Sequence, residues 1–193
     1  MRKLVSHLLV TLDGVVQLDA VVDTIKRLRA GEVSADFSAR IAQEDAMLLG
    51  RVTYQQWAGF WPTSTIQPFA DHINTVTKYV ASRTLDTAPW GPGASATVLS
   101  GELASAIAAL KRQPGKNIGV HGSPRLVAAL LNADLLDELR LELYPVVAGH
   151  GTRLFQDDGP IKHLQLTAST TTGNGVAILS YQPAQPGNDG QKG

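Results

Sequence analysis

The chain has 193 residues, enough for one domain with a substantial core. Lysine plus arginine equals aspartate plus glutamate at 17 each, so no net field draws the protein onto nucleic acid or a lipid surface, and no basic run with interleaved aromatics suggests otherwise. Cysteine is absent, which excludes disulfides, thiolate catalysis and cysteine metal sites and fits a reducing, cytoplasmic compartment.

Arg2–Val10 is rich in leucine and valine and is expected to be a central strand. A signal peptide is the competing reading of its basic start. Ser6 and His7 break the apolar run, however, and no small-residue cleavage site follows. No apolar run approaches the roughly 20 residues that a membrane span needs. Asp13-Gly14 ends the strand in a tight turn. Residues 15–33 carry the weakest pattern. Val22, Ile25 and Leu28 suggest a helical turn, and the position after the first strand makes the segment a candidate lid or substrate loop.

Ser34 is expected to cap a helix running to Glu44, with Phe37 and Ile41 facing inward. Ala46–Leu49 is a short buried strand, Gly50-Arg51 a turn, and Thr53–Trp57 a helix. Phe60, Trp61 and Pro62 fall in a loop, and Pro68 opens another helix. Lys78–Ala81 is a strand ending in Ser82-Arg83-Thr84. Ala96–Leu99 is the next, and a helix over Glu102–Arg112 follows, capped by Ser100 or Gly101. Asn117–His121 is a strand that meets Gly122, with Ser123 as helix N-cap and Pro124 as first helical residue. Leu139, Leu141 and Leu143 alternate with polar residues in the strand beyond. It leads to Gly149-His150-Gly151. Leu164–Thr172 and Val176–Tyr181 flank Gly173-Asn174-Gly175 as a hairpin. The polar stretch 183–193 is expected to be disordered, leaving residues 1–182 as a single domain. The fold class is therefore α/β: a mostly parallel central sheet with helices on both faces and a C-terminal antiparallel hairpin.

Ligands in such sheets bind at the carboxyl ends of the strands, where the turns at Gly50, Ser82 and Gly122 can share one rim. Free N–H groups at Ser123–Arg125 suit a phosphate, although many proteins use Gly-Ser-Pro only to start a helix. Arg51 and Arg83 offer guanidinium forks, with Thr53, Ser82 and Thr84 as hydroxyl donors. Solvated surface arginines are the alternative. Trp57, Phe60 and Trp61 can wall a substrate pocket or belong to the core or a subunit contact. The five histidines (His7, His72, His121, His150, His163) show no i,i+4 pair and no HExxH, so no metal site is expected. No G-x-S-x-G supports a serine hydrolase.

LLGRVTYQQW, KYVASRTL, the opening VTLDG and the stretch from Asn117 to Phe155 together resemble the dihydrofolate reductase-like family, in its branch related to the C-terminal reductase domain of riboflavin biosynthesis. The resemblance implies an NADPH-dependent reductase of a small heteroaromatic or carbonyl-like substrate, and a homodimer. It implies that Gly50, Arg51 and Thr53 hold cofactor phosphates, that Ser82, Arg83 and Thr84 take the 2′-phosphate, and that Gly122, Ser123, Pro124, Arg125 and Leu126 carry the pyrophosphate. Gly151 and Thr152 would approach the nicotinamide end. His121-Gly122-Ser123-Pro124 departs from the glycine run of dihydrofolate reductases, and the segment 17–37 lacks a tryptophan found in many relatives. Asp36 occupies the place of the family's proton donor, and burial against Phe37 would raise its pKa. A solvated first-turn carboxylate is the alternative. Asp13 is the second candidate acid, against the simpler reading of a turn former. A nucleotide- or ligand-binding module without turnover is the competing functional class.

Overall fold

The computed structural model describes residues 1–17, 19–29, 31–155 and 159–184, so nearly all of the stretch 183–193 lies outside the described residues. Eight strands form one sheet: β1 (Leu4–Thr11), β2 (Glu44–Gly50), β3 (Thr77–Ala81), β4 (Thr97–Leu99), β5 (Asn117–His121), β6 (Glu138–Tyr144), β7 (Leu164–Thr171) and β8 (Ala177–Pro183). Their order is β4-β3-β2-β5-β1-β6-β8-β7. Every pairing from β4 to β6 is parallel, and β8 joins β6 and β7 antiparallel. The expected class is the observed one.

Among the described residues six α-helices connect the strands: α1 (Val22–Leu28), α2 (Glu32–Ile41), α3 (Arg51–Ala58), α4 (Phe69–Thr75), α5 (Leu103–Arg112) and α6 (Pro124–Asn132). Strand alternation divides the core. Leu4, Leu8, Leu48, Ile118 and Val120 point to one face and pack on Ile107 and Leu110 of α5 and Val127, Leu130 and Leu131 of α6. Met47, Leu49 and Val80 point to the other face and meet Phe37 and Ile41 of α2 and Phe69 and Ile73 of α4. Both faces of the central strands are therefore covered, and these strands read as near-continuous apolar runs. Among the described residues no helix is long and apolar enough to cross a membrane.

Three local expectations change. Helix α2 starts at Glu32 behind Gly31 (φ 72°) rather than at Ser34, and it stops at Ile41. That frees Glu44 to begin β2 as a buried residue. Helix α5 is capped by Glu102, whose carboxylate accepts from Ala104 N and Ser105 N, because a carboxylate can receive two free first-turn N–H groups at once. Ser123 does not cap α6. It sits in the left-handed region (φ 57°, ψ 57°), and its Oγ accepts from Gly50 N at 3.0 Å.

Leu130 is fully buried between α6 and the sheet. Leu130→Ala removes that packing and should cost about 3 kcal/mol in equilibrium urea unfolding, with unchanged m-value.

Candidate active site

Because β3, β2, β5 and β1 run parallel side by side, their C-terminal ends share one rim. Gly50 is in register with Ala81, so the turns after β2 and β3 are neighbours. The Gly50–Ser123 hydrogen bond joins the turn after β2 to that after β5. A Cβ on Gly50 would lie 3.2 Å from Ser123 Oγ, so the two strand-to-helix junctions touch backbone to side chain. Gly122 turns with φ 64°, and a Cβ there would lie 3.2 Å from Trp57 Cζ2 and 3.4 Å from Thr53 Cγ2. Thr53 is buried in this contact. Arg51, Arg83, Thr84 and Arg125 are exposed. Arg51 donates only to Gln55 Oε1, and Arg83 and Arg125 make no hydrogen bond or ion pair among the described residues. Ser82 Oγ is spent on the turn, accepting from Thr84 N and Leu85 N. Arg125 and Leu126 follow Pro124 in the first turn of α6, where backbone N–H groups have no partner within the helix.

The late glycine loop is pinned to the end of β1. Asp13 accepts from Thr11 Oγ1 at 2.6 Å, Ala148 N at 3.0 Å and Gly149 N at 2.8 Å. These bonds, Thr11 foremost, hold its carboxyl well below the ordinary range. A permanently ionised loop clamp cannot serve as a proton donor at neutral pH, which corrects the expectation for Asp13. Gly151 (φ 118°) lies against Val15, and Thr152 Oγ1 donates to Gln17 Oε1 at 3.1 Å.

A cavity of about 490 Å³ opens beside this rim, on the α2/α4 side of the sheet. Trp57, Trp61, Phe37 and Phe69 wall it. Both tryptophans singled out from the sequence are brought together there, with ring centroids 5.9 Å apart and both against Phe69, whereas Phe60 is exposed. Gly122 lines the cavity as well as the rim. Asp36 does not line it. Its half-exposed carboxylate pairs with Arg40 one turn on, so the expected burial against Phe37 is absent. The i,i+4 spacing within α2 puts Asp36 beside Arg40 instead.

Polar groups reach the cavity from the sheet as well as from Lys26, Arg29, Ser34 and Gln67. His7 on β1 and His121 on β5 are in register and stacked at 5.8 Å. They belong to a buried polar seam crossing β2, β5, β1 and β6. His7 Nε2 is 2.7 Å from Glu142 Oε1, Tyr144 OH donates to Glu142 Oε2 at 2.7 Å, and Arg29 Nε stands 3.6 Å from the same oxygen. Burial pushes His7 below its ordinary pKa despite the Glu142 carboxylate. Burial opposes the charge of Glu142, but His7, Arg29 and Tyr144 outweigh it and lower that carboxyl. Neutral His7 beside ionised Glu142 must donate through Nε2, which leaves Nδ1 as an acceptor, and Nδ1 has no partner. Trp61 Nε1 is likewise buried without a partner. On the other side of the seam, Glu44 Oε2 is 2.7 Å from His121 Nε2 and 3.3 Å from His72 Nε2. Burial alone would raise the Glu44 carboxyl, but the two imidazoles hold it at about 2. The sequence offered no spacing that joins these three residues, since they come from β2, α4 and β5.

The family model described as the RibD C-terminal domain matches residues 2–178. The chain belongs to that family. It is 28% identical to the uncharacterized protein YyaP of Bacillus subtilis, over 93% of this chain and 94% of that one. Among solved structures it is similar to a putative riboflavin biosynthesis protein from Shewanella sp. PV-4, with TM-score 0.76, 19% identity, and 95% and 99% of the two chains covered. It is also similar to dihydrofolate reductase from Enterococcus faecalis complexed with NADP(H), with TM-score 0.60, 12% identity, and 95% and 97% covered. The fold is thus that of the RibD C-terminal and dihydrofolate reductase-like proteins.

Gly119 shows how tightly the seam of this RibD C-terminal domain is built. A Cβ there would fall 2.1 Å from Glu44 Oε2 and 2.8 Å from His121 Nε2. Gly119→Ala should cost about 2–3 kcal/mol, read by chemical denaturation, and Glu44→Ala in the same chain should recover part of the loss.

Acid should unfold the protein in two steps. His7 binds its proton less tightly folded than unfolded, so stability falls as pH drops below 6.5. Glu44 does the same in a lower window, and its contribution is lost as pH falls from 4.5 toward about 2. Melting curves against pH should show both slopes, and Glu44→Gln should flatten the lower one.

Proposed function

We propose that the protein is an NADPH-dependent reductase that transfers hydride to a small heteroaromatic or carbonyl-like substrate. The observation that carries this reading is that the aromatic cavity and the nucleotide rim share Gly122. A dinucleotide lying along the rim and a flat substrate in the cavity would meet at that residue. The residues present fit the cofactor. Gly50 and Gly122 allow close backbone approach, and the first turn of α6 offers N–H groups to a pyrophosphate. Arg83 and Arg125 have charge to spare, and Arg83 with Ser82 and Thr84 follows β3 where a 2′-phosphate would sit by family resemblance. When bound, the nicotinamide supplies the hydride, and the protein's part is to orient both partners and exclude water.

On the substrate side, His7 and Trp61 line the cavity. Their Nδ1 and Nε1 atoms are buried without a partner among the described residues, which is costly, and a small turn of either ring toward a bound substrate would pair it. Glu142 and Arg29 are positioning residues that fix the His7 tautomer. Lys26 and Arg29 also line the cavity and would face an anionic substituent.

The second reading, a nucleotide- or ligand-binding module without turnover, is favoured by one observation: neither Asp13 nor Asp36 lines the cavity. The two readings separate on measurement. Titration with NADPH and NADH should show saturable binding, tighter for NADPH, and Arg83→Ala should weaken NADPH by roughly tenfold while leaving NADH unchanged. No binding of either nucleotide at millimolar concentration overturns the reductase assignment. NADPH binding without oxidation across a panel of heteroaromatic and carbonyl compounds selects the second reading.

A further inference from the structure

The two buried carboxylates of the seam differ in how their charge is met. Glu142 has a permanent cation, Arg29, within 3.6 Å, besides the His7 and Tyr144 contacts. Glu44 has only imidazoles: His121 at 2.7 Å and His72 at 3.3 Å. Its side chain is 3% exposed, and those of His121 and His72 are 6% and 10% exposed. A buried carboxylate needs a compensating charge as well as hydrogen bonds. Neither imidazole is a permanent cation as Arg29 is. A divalent cation between the three groups would supply that charge.

The geometry suits one. Glu44 Oε2 and one ring nitrogen from each histidine all lie within 4.8 Å of one another. Donors bound at about 2.0–2.2 Å to one tetrahedral ion stand roughly 3.4 Å apart, so the Glu44–His121 contact of 2.7 Å would open to admit it and the Glu44–His72 contact of 3.3 Å would keep nearly its present length. The ligands come from β2, β5 and α4, which the sheet and its covering helix hold in place. Gly119 clears the space in which the carboxylate turns toward His121, a space that any Cβ would fill. His121 also lines the cavity, so a further coordination position can face that space.

We propose that Glu44, His72 and His121 form a binding site for one divalent transition-metal ion. Two imidazoles and one carboxylate select zinc, iron(II), cobalt or manganese over calcium and magnesium, which prefer all-oxygen shells. The two imidazoles bind through unprotonated Nε2, their protons moving to Nδ1. With a cavity-facing position open, the ion would serve as a Lewis acid toward a carbonyl or ring nitrogen in the cavity. The site adjoins the rim through His121, which precedes Gly122, but its ligands are not rim residues and the proposal does not depend on the reductase assignment.

The test uses the full chain purified without a histidine tag and stripped with chelator. Zinc and cobalt(II) salts are the probes, read by equilibrium dialysis with elemental analysis and by cobalt visible absorption. The expected result is one equivalent bound per chain, a tetrahedral-type cobalt spectrum, and a melting temperature raised by several degrees. Glu44→Gln and His72→Asn should each weaken uptake at least tenfold, while the exposed controls His150→Asn and His163→Asn keep it. His72 is the ligand at the partly exposed edge, so its variant should fold even if Glu44→Gln does not, and its circular dichroism reports that directly. No saturable uptake by the natural chain, or uptake undiminished in folded His72→Asn, overturns the proposal. Neither readout involves nucleotide, so failure here leaves the NADPH titration untouched.

Discussion

Glu44 and Glu142 are the carboxylates of one buried polar seam across the sheet, and much of the surrounding architecture serves to keep them charged. Glu44 and Glu142 stand on strands three positions apart in the sheet, with β5 and β1 between them. The stacked pair His7 and His121 bridges that gap. Moving a carboxylate out of water is expensive, and breaking a buried pair by removing one partner costs more than never having built it. The seam therefore constrains what can sit nearby: glycine at 119, aromatic rings at Phe37 and Phe69, and the Arg29 guanidinium 4.3 Å above the Phe37 ring.

The seam also explains why the cavity lies where it does. Polar groups in the middle of a sheet face cannot be covered by an ordinary aliphatic layer. Helix α2 instead presents Phe37 edge-on to His7 and His121, α4 sets Phe69 at a tilt against His72 and His121, and the tryptophans of the segment after β2 close the other wall. The result is an apolar chamber with a polar floor, opening onto the strand ends that carry the glycine turns. Parallel strands make that coincidence possible, because they bring every β-to-α turn to the same edge.

Much of this was legible in the sequence. The strands alternating with helices and the glycine turns after Leu49 and His121 were readable because each depends on local chemistry. The Gly173–Gly175 hairpin was readable for the same reason. The Glu-Asp preceding Ala46 reads as a helix end, since charged residues seldom open a buried strand, and so Glu44 was placed in the wrong element. Asp36 is a candidate acid by its place in the family resemblance, yet Arg40 four residues on is the better local signal for what its carboxylate meets. His7 and Gly119 carry no sequence signal. Within apolar strands they look like ordinary positions, and only the register of β1, β5 and β2 brings them to the same place.

Asp13 has a further consequence. Its bonds from Ala148 N and Gly149 N, with the one from Arg153 Nε to the Asp13 carbonyl at 3.0 Å, sew the loop after β1 to the segment after β6. Two segments 135 residues apart in the chain thus have their lengths matched to each other. An insertion in one would pull the other out of place, so divergence of the pocket within this family is channelled elsewhere. The open ground is the turn between α3 and α4, which borders the cavity without being stitched to that loop. That segment is where a redesigned specificity has room to be written.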